Sequence, residues 1–201
     1  MLKIGITGNI GSGKTTVSRL FELLGIPVFY ADDEAKKVMT TDGELVAAIK
    51  NTFGTEAYFA NGMLNRKYIA GIVFNQESEL QKLNSLVHPA VFRAFDAWIE
   101  QHRNAPYVLK EAAVLFEIGS YKDCDYTIIV TAPAPVRIAR VMQRDGISQA
   151  DALSRNNKQM PEAEKQELAN FVLCNDNSKL LIPQVLALHE QFLQLPSTLT
   201  L

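Results

Sequence analysis

A parallel β-sheet flanked by helices is the fold class this sequence predicts, and three observations carry that expectation. Short β-type runs alternate with longer stretches of helical spacing, the order produced when crossover helices return a chain to parallel strands. A glycine-rich run stands where the first strand ends and the first helix begins. The composition, 47% hydrophobic and 21% charged over 201 residues, suffices for one substantial core carrying an appended subdomain or lid.

The elements follow in order. Strands are expected at Leu2–Thr7, Pro27–Tyr30, Tyr107–Glu111, Tyr126–Thr131 and Phe171–Cys174, each a short run rich in β-branched or aromatic residues. A helix from about Lys14 to Leu24 presents Val17, Leu20, Phe21 and Leu24 on one face, toward the sheet. Between the second and third strands, Leu45, Ile49, Phe53, Ile69, Val73, Phe74, Leu80, Leu83, Leu86 and Val87 keep helical spacing, with a turn signal at Asn61-Gly62. That is too much chain for one crossover, so residues 32–103 form a helical insertion. His88-Pro89 reads as a break in its helical pattern. Residues 144–169, rich in Gln, Asn, Asp, Glu and Lys, read as a helical lid. Residues 1–31, 104–143 and 170–201 remain as the core of a single unit.

Several classes are excluded. A net charge of −2 and a pI of about 5.9 give no positive field to hold a nucleic acid or an anionic membrane. There is no uninterrupted apolar span of membrane length, and the N-terminal run, broken by Gly5, is no secretory signal. A soluble cytoplasmic protein is therefore expected, as a single copy. Cys124 and Cys174 stand far apart without nearby ligand partners, which suggests reduced core thiols rather than a disulfide or zinc site.

The strongest motif is Gly8-Asn9-Ile10-Gly11-Ser12-Gly13-Lys14-Thr15. Glycines are needed there because backbone N–H groups must curl round phosphate oxygens without intervening side chains. Lys14 reaches the β and γ phosphates of a nucleotide, and Thr15 is placed to ligate Mg2+. The helix dipole adds positive potential at the same point. Such a cradle names the donor class but not the reaction, since switches, motors and kinases share it.

The acceptor side must decide. Asp32 follows the second strand at the carboxyl edge of the sheet, where open α/β sheets bind ligands, and can orient a hydroxyl and take its proton. N-capping of the next helix by Asp32 or Asp33 is the competing reading. Arg137, Arg140 and Arg144 recur at helical spacing, so Arg140 and Arg144 can share a face that closes on phosphates, against the plainer reading of a solvated basic face. Arg155 is a further candidate for that task. A lid would keep water from an activated nucleotide. His88 is a candidate near the acceptor, while Phe92, Phe95 and Trp98 read as core-facing helix residues.

These residues together resemble the dephospho-coenzyme A kinase family over about Leu2 to Leu195. The run from Ile6 through Thr15 and Thr16, Leu24-Gly25 and the acidic segment from Tyr30 are similar to the family's, as are Phe53-Gly54, Asn61-Gly62, Leu64-Asn65-Arg66, Val73-Phe74, Leu83-Asn84 and Val87-His88-Pro89. Leu115-Phe116-Glu117, Arg140, Gln143-Arg144-Asp145, Gln159 and Asn175 continue the match. The resemblance implies a P-loop kinase-like three-layer α/β/α fold with a five-stranded parallel sheet, a helical substrate-binding insertion and a lid. It implies transfer of the ATP γ-phosphate to the ribose 3'-hydroxyl of dephospho-CoA, with Mg2+. ATP would sit on Gly8 to Thr16, Asp32 would be the general base, and Lys14, Arg140 and Arg144 would serve the transfer. Asp32, Asp33, Lys36, Arg66, His88 and Glu117 would meet the substrate. Three positions depart from the family pattern: Tyr30 stands for the first aspartate of its Asp-Ala-Asp element, Lys36 for an arginine and Ala113 for a proline. Lys36 keeps charge but loses the two-point fork. Two alternatives stand beside this reading. One is another small-molecule kinase, acting on a nucleoside, a nucleoside monophosphate or a shikimate-like alcohol. The other, a guanine-nucleotide switch, lacks its expected Asp-x-x-Gly, and Asn157-Lys158-Gln159-Met160 ends without the carboxylate that reads guanine.

Overall fold

The computed structural model describes residues 1–74 and 76–195. Among them, five strands are present: β1 (Leu2–Thr7), β2 (Val28–Tyr30), β3 (Tyr107–Glu111), β4 (Tyr126–Thr131) and β5 (Phe171–Cys174). They form one parallel sheet in the order β2-β3-β1-β4-β5. The expected strands are all found, with β2 starting one residue late because Pro27 has no N–H to give the ladder. After β1 the chain moves to one edge, and after β3 it crosses to the other. The carboxyl end of β1 therefore lies where the strand order reverses, the place where open sheets of this kind hold ligands.

The chain divides into two compact units, one of Met1–Tyr30 with His102–Leu201 and one of Ala31–Gln101. In the first, α1 (Lys14–Leu23) buries Val17 and Phe21, with Leu20 and Leu24 partly covered. Phe21 stacks on Phe192 of α9 (Leu181–Gln194) and meets Tyr107 edge-on. Burying each such side chain stabilises by about 2 kcal/mol. The Tyr107 hydroxyl, which would otherwise be stranded in this core, pairs with His189 Nδ1 at 2.7 Å. α1 ends in a Schellman turn: Ile26 N–H reaches Phe21 O, Gly25 N–H reaches Glu22 O, and Gly25 takes φ 80°, which suits glycine. At the open edge, Gln184 of α9 accepts from Cys174 N at 2.9 Å and donates to Cys174 O at 3.0 Å. Cys124 and Cys174 are free thiols, half-buried rather than fully in the core.

Beyond β4, α6 (Ala134–Asp145) ends on left-handed Gly146, two residues past the expected start of the lid. α7 (Gln149–Asn157) and α8 (Glu162–Leu168) follow and group with the first unit. Ser148 caps α7 by accepting from Asp151 N.

The second unit holds α2 (Ala31–Thr41), α3 (Gly43–Phe53), α4 (Arg66–Val73) and α5 (Glu77–Gln101). Asp42 caps α3 through Leu45 N at 2.9 Å and also binds Arg93 at 2.6 Å. A tight turn at Asn61-Gly62 is present, with Gly62 at φ 81°. Two expectations are corrected. His88-Pro89 does not interrupt the helix: α5 runs unbroken for 25 residues with Pro89 inside it. The burial of Val87, Ala90, Val91 and Phe95 around that point offsets the hydrogen bond that proline removes. Phe74, part of the apolar pattern, is exposed just beyond α4. No helix among the described residues is long and apolar enough to cross a membrane.

Candidate phosphate-binding site

The glycine-rich run leaves β1 at Thr7 and becomes α1 at Lys14. Its shape rests on glycine at three points. Gly8, Gly11 and Gly13 have φ of 153°, 79° and 96°, and a Cβ on them would strike Val130 O, the Arg137 backbone and the Asn175 side chain respectively. Gly13 is the N-cap of α1 and supplies no capping side chain, and no acidic residue stands in the first turn. The amides that open this helix thus lack a side-chain acceptor at the cap.

The loop's carbonyls are held by donors from the protein. Gly8 O accepts from Lys14 Nζ at 3.1 Å, Asn9 O from Ser12 N at 3.0 Å, and Ser12 O from Asn175 Nδ2 at 2.7 Å. Ile10 O and Gly11 O take longer bonds from Arg137 and Arg140, at 3.5 and 3.4 Å. Because peptide N–H and C=O point opposite ways, tying the carbonyls back leaves a concave surface of amides, the arrangement that binds anions.

A cleft of about 260 Å³ opens over this surface, lined by Gly11, Gly13, Lys14, Thr15, Thr16, Arg140, Val141 and Arg144. Arg140 and Arg144, the two arginines expected to share a face, both line it. Arg137 does not: it is buried, bonded to Ala132 O at 2.9 Å and Asn156 Oδ1 at 2.6 Å, and paired with Glu162 at 3.3 Å. It lies in the first turn of α6, its backbone close against Gly11. Arg140 also donates to Asn175 O and Asn177 Oδ1. Arg144 grips Asp145 with two N–H groups, at 2.7 and 3.1 Å, and Arg155 shares that carboxylate at 2.9 Å. The Arg144 bond holds the Asp145 carboxyl below the usual range and raises the Arg144 guanidinium.

Glu111, at the carboxyl end of β3, was not singled out by sequence reasoning. Its Oε2 accepts from Thr15 Oγ1 at 3.4 Å, so a carboxylate and a hydroxyl stand together beside the cleft. The signal was available, since a charged residue closing an otherwise apolar strand at the ligand edge of a parallel sheet requires a reason. Tyr30, at the end of β2, is kept neutral: burial raises its pKa, helped by a hydrogen bond to Glu22 and the charges of Glu22 and Glu111.

Glu117, expected at the substrate, is engaged within the first unit. Its Oε1 pairs with the fully buried Lys165 at 2.6 Å and accepts from Met160 N at 3.2 Å. In the second unit, α2 begins at Ala31, so Asp32 and Asp33 lie inside its first turn rather than at an N-cap. Asp33 is paired with Lys36 at 2.6 Å. Arg66 is the exposed first residue of α4, capped by Asn65. His88 is half-buried on α5, and burial lowers its pKa. Phe95 is core-facing, with Trp98 stacked on it at 6.2 Å.

The family model described as Dephospho-CoA kinase matches residues 2–180. A protein named dephospho-CoA kinase from Bacteroides fragilis is 38% identical over 187 residues, covering 93% of this chain and 91% of that one. Its namesake from Salinibacter ruber is 42% identical over 180 residues, covering 89% and 90%. A crystal structure from Thermus thermophilus is 36% identical with a TM-score of 0.81, covering 94% of this chain and 96% of that one. Dephospho-CoA kinase from Campylobacter jejuni, at 24% identity and a TM-score of 0.69, shares the fold.

Proposed function

The chain belongs to the dephospho-CoA kinase family, and from that premise we propose that it phosphorylates the ribose 3'-hydroxyl of dephospho-CoA with ATP, giving CoA and ADP in coenzyme A biosynthesis. The donor half rests on one observation, the uncapped start of α1 beneath a cleft lined by Lys14, Arg140 and Arg144. The loop from Gly8 to Thr16 would hold the triphosphate through those of its amides that face the cleft, and the three cations would offset charge spreading over the transferred oxygens.

Asp32, two residues beyond β2, is assigned as general base. As the hydroxyl oxygen bonds to the γ phosphorus and the bond from phosphorus to the ADP oxygen breaks, its carboxylate takes the hydroxyl proton. Asp33, Lys36, Arg66 and His88 are assigned to the substrate. Glu117 is assigned instead to the fold of the first unit. Thr15 and Glu111 offer hard oxygen atoms of the kind Mg2+ prefers, in a pair small enough to leave room for water and phosphate ligands. When bound there, Mg2+ would neutralise charge on the β and γ phosphates. Residues 32–103 act as the substrate subdomain and 144–169 as the lid, and a single copy works in the cytoplasm.

The test is ADP release with ATP and magnesium against dephospho-CoA, AMP, dTMP, cytidine and shikimate. Turnover with dephospho-CoA alone is expected, and turnover confined to another acceptor would transfer the reading to a different small-molecule kinase. Asp32→Asn should keep ATP binding and slow transfer roughly 100-fold, as loss of a general base does. Near-normal turnover in that variant would remove Asp32 from the chemistry.

A further inference from the structure

One amide of the phosphate loop points away from the anion surface. Ile10 N–H donates to Oε1 of Gln159 at 2.7 Å, and Gln159 lies on the connection between α7 and α8. Beside it the bond runs the other way, from Asn9 Nδ2 to Met160 O at 3.1 Å. Donor and acceptor are matched at both points, so two consecutive loop residues clasp two consecutive residues of the connection.

The clasp is rooted in a buried joint. Met160 N–H binds Glu117, Glu117 pairs with Lys165 on α8, and Lys165 also donates to Ala113 O at 3.3 Å. That carbonyl accepts from Thr7 Oγ1 at 3.4 Å, at the end of β1. Asn9 is 2% exposed and Lys165 fully buried. A lysine brought out of water is tolerated only where its partners stay in place, so this joint resists distortion.

We propose that Gln159 is a positioning residue for phosphoryl transfer, fixing the Ile10 peptide so that the rest of the loop presents its amides to the nucleotide. A peptide plane has one orientation at a time. With Ile10 N–H tied to Gln159 and Ile10 O facing Arg137, the plane between Asn9 and Ile10 and the one following it cannot rotate freely. The neighbouring amides of Gly11 to Lys14 inherit their directions from it. The clasp also links the loop to the seat of α7 and α8, the first of which carries Arg155 to the Arg144–Asp145 pair.

The proposal rests on the nucleotide-binding half of the function proposed above, and its test does not need the acceptor. ATP affinity is measured by calorimetry for the unaltered chain, Gln159→Leu, Asn9→Ala and the double variant. Gln159→Leu is expected to weaken ATP about tenfold, the scale of one lost hydrogen bond that orders a binding surface. The double variant should lose less than the product of the two single losses, because both break one joint. In turnover, the KM for ATP should rise with that for dephospho-CoA unchanged. A residue that only stabilised the fold would lower the folded fraction and leave ATP affinity unaltered, and that result overturns the proposal, as do losses that multiply. If Gln159→Leu folds poorly, cleavage by trypsin after Arg155 and Lys158 serves instead. ATP should slow it in the unaltered chain and not in Asn9→Ala, and equal protection in both would overturn the proposal. Failure of the unaltered chain to phosphorylate dephospho-CoA while binding ATP would count against the acceptor assignment alone.

Discussion

Arg137 and Arg144 lie on the same helix, yet their side chains meet opposite demands. The first is buried against Glu162 and the underside of the loop, and the second is more than half exposed at the cleft. Arg137→Met should therefore lower stability by about 3 kcal/mol, since it removes a buried guanidinium from Ala132 O and Asn156 and strands the partly buried Glu162 carboxylate, and urea unfolding will read this directly. Arg144→Met should leave the unfolding midpoint in place and slow transfer by about 100-fold. At this scale the contiguous part of the site was legible: eight consecutive residues spell out the loop, and each glycine stands where a side chain would collide. The remainder was not. Gln159 meets Ile10 across 149 residues and Thr15 meets Glu111 across 96, and no local spacing encodes such pairings.

Elements were easier to read where the period was undisturbed. β1, β3, β4 and β5 have the expected limits; the first three are almost wholly buried, and a strand covered on both faces must be a short apolar run between polar turns. α5 was misread as broken at Pro89. Local rules weigh the lost hydrogen bond, whereas the helix is held by Val87, Ala90, Val91 and Phe95, whose burial depends on partners elsewhere in the second unit. That burial also reaches His88 and lowers its pKa. The folded state therefore favours the neutral imidazole, and the stability this represents is complete above the ordinary histidine value of about 6.5. It is lost as pH falls toward and through the depressed folded value. The urea midpoint of the unaltered chain should drop between about pH 7 and pH 5, and His88→Gln should flatten part of that drop. An identical slope in the variant would show that other groups carry it.

For the whole molecule, the order of five parallel strands follows from where connections can cross, and it leaves β5 with a neighbour on one side only. That exposed rim is where the Gln184 side chain sits, its amide answering both backbone groups of Cys174 as another strand would. The consequence concerns the protein in company. A glutamine acting as a one-residue counterfeit strand denies a second chain its foothold, a defence against sheets joining edge to edge. Gln184→Leu should leave the chain folded but cause concentrated samples to cluster, and light scattering that stays flat with concentration would show that the rim needs no such guard.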